Sequence, residues 1–197
     1  MNPSASLVLI IATVAITLAS FTRPSWLRAG MLHPYGVVQD AKWHQLVTSG
    51  FLHADLGHLF MNMFTLFFFG PSVERLLGPW GFLLVYFGSM VLGSLLAVLR
   101  HGGDPNYRAL GASGAVSGIL FSFVLFRPFA PIYLFLIPIG IPAVLFAFGY
   151  VAVSLYGMRA RLGNIGHDAH LGGAIGGALI TLAIHPDVLR IFLGHFR

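Results

Sequence analysis

The chain has 197 residues and not one cysteine. That removes disulfides, thiol catalysis and cysteine-based zinc sites, and it leaves the redox compartment open. Charge is scarce too. Only 9% of the residues are charged, against about 25% in an ordinary soluble domain. The acidic residues are Asp40, Asp55, Glu74, Asp104, Asp168 and Asp187, and none stands in the middle of an apolar run. This argues against an intramembrane aspartate pair and against an acidic proton relay. The pattern H-E-x-x-H is missing, so a zinc protease would lack its general base. A histidine-only zinc site from His58, His167 and His170 is the alternative that the residues leave, and no metal or cofactor is expected. There is no soluble repeat, coiled coil or low-complexity segment. No basic n-region precedes the first apolar run, which therefore reads as a retained span.

What the chain does have is apolar residues: 57% are hydrophobic, with a mean hydropathy of +0.84. The expected fold is all-α, a polytopic membrane protein forming one domain over 1–197. Net charge is +5, but the basic residues are scattered among the apolar runs. They read as anchors at lipid headgroups, so membrane lipids are expected partners and nucleic acid is not. A span needs about 20 apolar residues, fewer inside a bundle. Six runs qualify, near 7–21, 56–70, 80–99, 112–126, 132–156 and 169–184. The mixed stretch 23–57 carries Trp26, Trp43, Tyr35, His33, His44 and His53, and reads as a loop lying partly in the membrane surface. Glu74 and Arg75 read as a charged turn between the second and third spans. Pro138 and Pro142 are expected to kink the fifth.

Six spans put both termini on one side. The second, fourth and sixth then start from the same face, which brings His58, Ser113 and His170 to one depth. Gly111 to Gly118 sets Ser113 among residues with little or no side chain. In the first turn of a helix, free N–H groups favour negative charge, which suits a nucleophile and its oxyanion. The same small residues, Gly114 and Gly118 four apart, also suit plain helix packing. His58 and Asn62 share one helical face, and so do His170, Gly173 and Gly177. Gly173 and Gly177 offer a smooth surface for the Gly114/Gly118 face, which would bring His170 towards Ser113. His170 can serve as a base for the serine. His58, Asn62 and the Ser113 N–H are candidate oxyanion donors. Asp168 reads as a loop residue facing water, because i and i+2 point apart on a helix.

On these residues the chain resembles the rhomboid intramembrane serine proteases. The resemblance runs over nearly all of it: six spans, a long first loop with tryptophans, H-x-x-x-N in span two, G-x-S-G in span four and A-H-x-x-G-x-x-x-G in span six. It implies Ser113 as nucleophile and His170 as general base in a dyad, with His58 and Asn62 stabilising the oxyanion. It also implies an embedded first loop, a gate formed by span five with the loop after it, and transmembrane segments of other proteins as substrates. A multi-pass protein of a prokaryotic cell membrane is expected, its termini in the cytoplasm, although the charge count alone prefers the reverse orientation. One position departs from the family's pattern. Four residues after the nucleophile, where an aromatic ring often stacks on the histidine, this chain has Ser117. A catalytically silent binder of transmembrane helices would share the fold, but such relatives typically lose the serine or the histidine. A channel or transporter predicts an inverted repeat or a charged pathway, and neither is found.

Overall fold

The computed structural model describes residues 4–133, 138–160 and 166–197. The chain opens with α1 (Ala5–Phe21), followed by the short helices α2 (Pro24–Gly30), α3 (Pro34–Asp40) and α4 (Gln45–Thr48) and a 3-10 turn, Ser49–Phe51. The long α5 (Leu56–His101) and then α6 (Ser113–Phe126) follow. Two strands, β1 (Pro131–Tyr133) and β2 (Gly140–Pro142), pair antiparallel. Helices α7 (Ala143–Ala160), α8 (His167–Ile184) and α9 (Val188–Gly194) complete the order. Among the described residues, α5 and α7 are long and apolar enough to cross a membrane, and α8 with α9, bent by 107°, makes a third candidate. Helices α1 and α6 are shorter and apolar. The chain is thus a mostly helical membrane protein.

Helix α5 begins where Asp55 Oδ1 accepts the His58 N–H at 2.7 Å, satisfying one of the free donors of the first turn. Its 46 residues amount to about 69 Å at 1.5 Å per residue, more than twice the ~30 Å hydrocarbon core. The helical geometry breaks at Gly78, with φ 71° and ψ 168°. A residue before proline is pushed out of the α region, and glycine alone takes that positive φ cheaply. Pro79 then restarts the helix with a φ already set. Before that break the chain stays helical through Glu74 and Arg75, where a turn is expected. The Glu74 carboxylate instead accepts from Ser4 Oγ at 2.6 Å, Ala5 N at 2.7 Å and Ser6 N at 3.0 Å. It caps the start of α1, where an anion is favoured.

Helix α6 is the centre of the core, buried without interruption from Gly114 through Leu120. Leu66, Phe82 and Tyr86 of α5 and Ile119 of α6 are fully buried in the same cluster. Both halves of α5 therefore pack on α6. Two further expectations are corrected here. The fifth apolar run is not helical from Ile132: Ile132 and Tyr133 belong to β1, which pairs with β2, and the helix starts only at Ala143. Pro142 explains the boundary, because it forces Ile141 into extended geometry. Pro138 thus lies outside any helix and kinks none. The stretch 23–57 is a set of short helices tied to the rest of the chain. Leu32 and Ala109 exchange both backbone hydrogen bonds, at 2.8 and 3.0 Å.

Candidate active site

Ser113 is the first residue of α6. The N–H groups of Ser113, Gly114 and Ala115 have no acceptor among the described residues, as expected of a first helical turn. The two residues before it are held rigidly. The Gly111 N–H donates to Ser49 O at 3.0 Å, and the Ala112 N–H donates to His53 Nε2 at 3.2 Å. Gly111 has φ +124°, and a Cβ there would lie 2.6 Å from His58 Cε1 and 2.7 Å from His58 Nε2. Glycine is thus required twice over, by its backbone and by the imidazole against it. His58 is in this way set against the peptide leading to Ser113.

In the sequence His53 is one member of a mixed interfacial stretch, yet it is fully buried and both ring nitrogens are engaged. Thr17 Oγ1 donates its proton to Phe51 O at 2.9 Å. It can therefore only accept from His53 Nδ1, at 3.1 Å. Nδ1 then carries the ring proton, and Nε2 is left to accept from Ala112. A fixed tautomer joins α1, the 3-10 turn and the approach to α6. Burial, and then the neighbouring charge of His58, pushes the His53 pKa down to about 4, with Asp55 pulling weakly the other way. A neutral ring is the form this network needs. Asn62 is buried and donates through Nδ2 to His58 O, four residues back on its own helix, at 2.9 Å.

Helices α6 and α8 meet backbone to backbone. A Cβ on Gly173 would lie 2.1 Å from Gly114 O, one on Gly177 2.3 Å from Gly118 Cα, and one on Gly118 3.0 Å from Gly173 O. A Cβ on Gly114 would sit 3.1 Å from Ala169 O. Ser113 and His170 are the chain neighbours of those two last-named residues, so they flank the closest approach of the two helices. No hydrogen bond joins Ser113 Oγ to His170 among the described residues. Catalytic hydrogen bonds are often long without substrate. The His170 ring lies 6.1 Å from Tyr150 of α7 at 26° and 6.2 Å, edge-on, from His167. Nothing in the sequence marks Tyr150. Its hydroxyl is hydrogen-bonded to Ser117 Oγ.

Asp168 is not a loop residue facing water. Helix α8 starts at His167, so Asp168 sits in its first turn and is buried. Oδ1 lies 2.6 Å from Arg100 Nε as an ion pair without hydrogen-bond geometry. Oδ2 is hydrogen-bonded to His101 Nε2 at 2.7 Å, and the His101 ring stacks on Tyr107 at 3.8 Å. The carboxylate is occupied by the end of α5, away from His170. Among the described residues no three of the His, Asp and Glu side chains cluster as metal ligands would, so His58, His167 and His170 do not form such a set.

A partly buried serine at a helix start and a histidine beside a glycine seam thus lie in a mostly helical chain with apolar helices long enough to cross a membrane. The rhomboid domain model matches residues 40–187, and the chain belongs to the rhomboid family. It is 34% identical over 168 residues to RHOMBOID-like protein 12, mitochondrial, of Arabidopsis thaliana, which covers 77% of this chain and 49% of that protein. It is 37% identical over 141 residues to rhomboid protein 1, mitochondrial, of Saccharomyces cerevisiae, covering 68% and 40%. It is 30% identical over 148 residues to rhomboid protease GluP of Bacillus subtilis, covering 75% and 27%. The chain therefore spans half the length of these relatives or less. Some relatives are named proteases and one is named inactive. They come from mitochondria, a chloroplast and a bacterium, so the likeness points to a membrane and gives no support to one compartment such as a prokaryotic cell membrane.

Proposed function

We propose that the chain is an intramembrane serine endopeptidase that cuts transmembrane segments of other membrane proteins. His170 takes the proton of Ser113 Oγ, and the oxygen attacks the scissile carbonyl. The oxyanion forms at the free N–H groups of the first turn of α6, with His58 and Asn62 as side-chain donors. His170 then protonates the leaving amine, and water hydrolyses the acyl-enzyme with His170 again as base. In this reading α5 is two spans joined at Gly78. With α1, α6, α7 and α8 they make six, and both termini share one side.

The observation that carries the proposal is the glycine seam. Gly173 against Gly114 lets two backbones touch at the level of Ser113 and His170, which any larger residue would prevent. The test is labelling of the detergent-solubilised chain with a fluorophosphonate, beside cleavage of a model transmembrane substrate. Ser113→Ala should lose both labelling and cleavage and keep its thermal midpoint. His170→Ala should lose both as well, because the hydroxyl loses its base. Undiminished cleavage by Ser113→Ala would remove it as nucleophile. Helix binding by a wild-type chain that never labels would make the protein a silent binder.

A further inference from the structure

Helix α7 meets the rest of the molecule along one narrow stripe. Its buried residues are Ala143, Ala147, Ser154 and Gly157, and the half-buried Tyr150 stands midway among them on the same face. Leu145, Phe148, Val153 and Tyr156 on the other faces are exposed. Among the described residues, the bond from Tyr150 to Ser117 is the only side-chain hydrogen bond that α7 makes. Its direction can be worked out. Ser117 Oγ donates to Ser113 O at 2.6 Å, and a serine hydroxyl has a single proton. The phenol of Tyr150 must therefore donate to Ser117 Oγ. The chain of donors runs from α7 to the carbonyl of Ser113 itself.

The ring so anchored faces His170 at 6.1 Å and 26°, inside the ~4.5–7 Å range of offset ring pairs. Phe121 at 5.7 Å and Phe146 at 6.1 Å pack on Tyr150 from other sides. Neither nitrogen of His170 has a hydrogen-bond partner among the described residues, and the rings of Tyr150 and His167 pack against the imidazole. On the protease reading above, we infer that Tyr150 is a positioning residue for His170, docked by the Ser117 hydroxyl. The position that departs from the family's aromatic pattern is thereby the anchor for an aromatic ring from another helix. The orientation of the base depends on α7 being docked. Displacing α7 removes one wall of the imidazole.

The test compares the wild type with Tyr150→Leu, Tyr150→Phe, Ser117→Ala and the Ser117→Ala/Tyr150→Phe pair. Each is followed by the rate of fluorophosphonate labelling at Ser113, by kcat and KM on a model transmembrane substrate, and by thermal midpoint. Tyr150→Leu should lose about 10- to 100-fold in labelling rate and kcat, as a misplaced reacting group does, with KM nearly unchanged. Tyr150→Phe and Ser117→Ala each remove the same hydrogen bond and should each lose about 2- to 10-fold. Ser117→Ala also removes the bond to Ser113 O, so the pair should lose no more than Ser117→Ala alone. Losses that multiply in the pair overturn the inference, even if Tyr150→Leu fails to fold. So does wild-type labelling by a folded Tyr150→Leu variant. An inert wild type sinks the protease reading and this inference together; an active wild type indifferent to Tyr150 sinks the inference alone.

Discussion

Two contacts bracket the candidate site, and they are built from opposite materials. The α6–α8 seam is glycine on glycine, with no side chain to adjust and no room for one. The α7 contact is a stripe of small residues around one tyrosine, with half of the helix exposed. A backbone seam holds a distance rigidly, because any error is a collision of main chain with main chain. An aromatic ring held by one hydroxyl can leave and return at the cost of about one hydrogen bond. The molecule joins α6 to α8 by the first device, and docks α7 by the second.

The contrast breaks first at Gly173. Gly173→Val should force α6 and α8 apart, since its Cβ would lie 2.1 Å from Gly114 O. We expect loss of activity and at least about 3 kcal/mol of stability, the upper end of overpacking costs. A thermal midpoint equal to wild type would show that the seam yields, and the two contacts would then not differ in kind.

The approach to the seam is the next place to press. The His53 pKa is about 4 in the folded chain, against an ordinary 6.5. Between those values the unfolded chain binds more protons, so stability rises with pH. It is fully present above about 6.5 and drains as pH falls towards 4, by up to about 3 kcal/mol. His53→Gln can still accept from Ala112 and donate to Thr17 without titrating. Its thermal midpoint between pH 7 and 4 should fall less steeply than that of the wild type. Parallel slopes would mean that another group carries the acid sensitivity.

A smaller effect is expected at the start of α8. Asp168→Asn should cost about 1–3 kcal/mol, as expected when buried partners of a charged group are lost, and leave kcat within a few-fold. A variant that keeps its thermal midpoint but loses a hundredfold in kcat would make Asp168 an orienting acid for His170. The smallest change belongs to α7. A Cβ at Gly149 meets nothing within 4 Å. Gly149→Ala should leave activity unchanged and add at most about 1 kcal/mol from helix propensity. A clear loss of activity there would mean that the exposed side of α7 has a partner within the membrane.

Much of the candidate site was legible in the sequence for one reason. Polar side chains in apolar runs are expensive and stand out, so Ser113, His170, His58 and Asn62 could be singled out directly. The helices around them followed from the apolar runs, to within a few residues for α1, α6 and α8. His53 was hidden because it lies in a mixed stretch, where a histidine is unremarked. Tyr150 was hidden because its partner Ser117 lies 33 residues away on a different helix. The start of α7 was misplaced because hydropathy does not distinguish apolar strands from an apolar helix.

By itself, then, the sequence determined what each segment must avoid. Apolar runs avoid water, and Gly114, Gly118, Gly173 and Gly177 leave the space that two touching backbones need. These are properties of single residues and their spacing, so they can be read along one dimension. Tertiary structure decided the partners. It turned Asp168 to Arg100 and His101, left His53 protonated at Nδ1, and set a tyrosine of α7 beside His170. A hydrogen bond or a ring contact is made between groups whose separation in space bears no fixed relation to their separation in the chain, and only the packed fold brings them within reach.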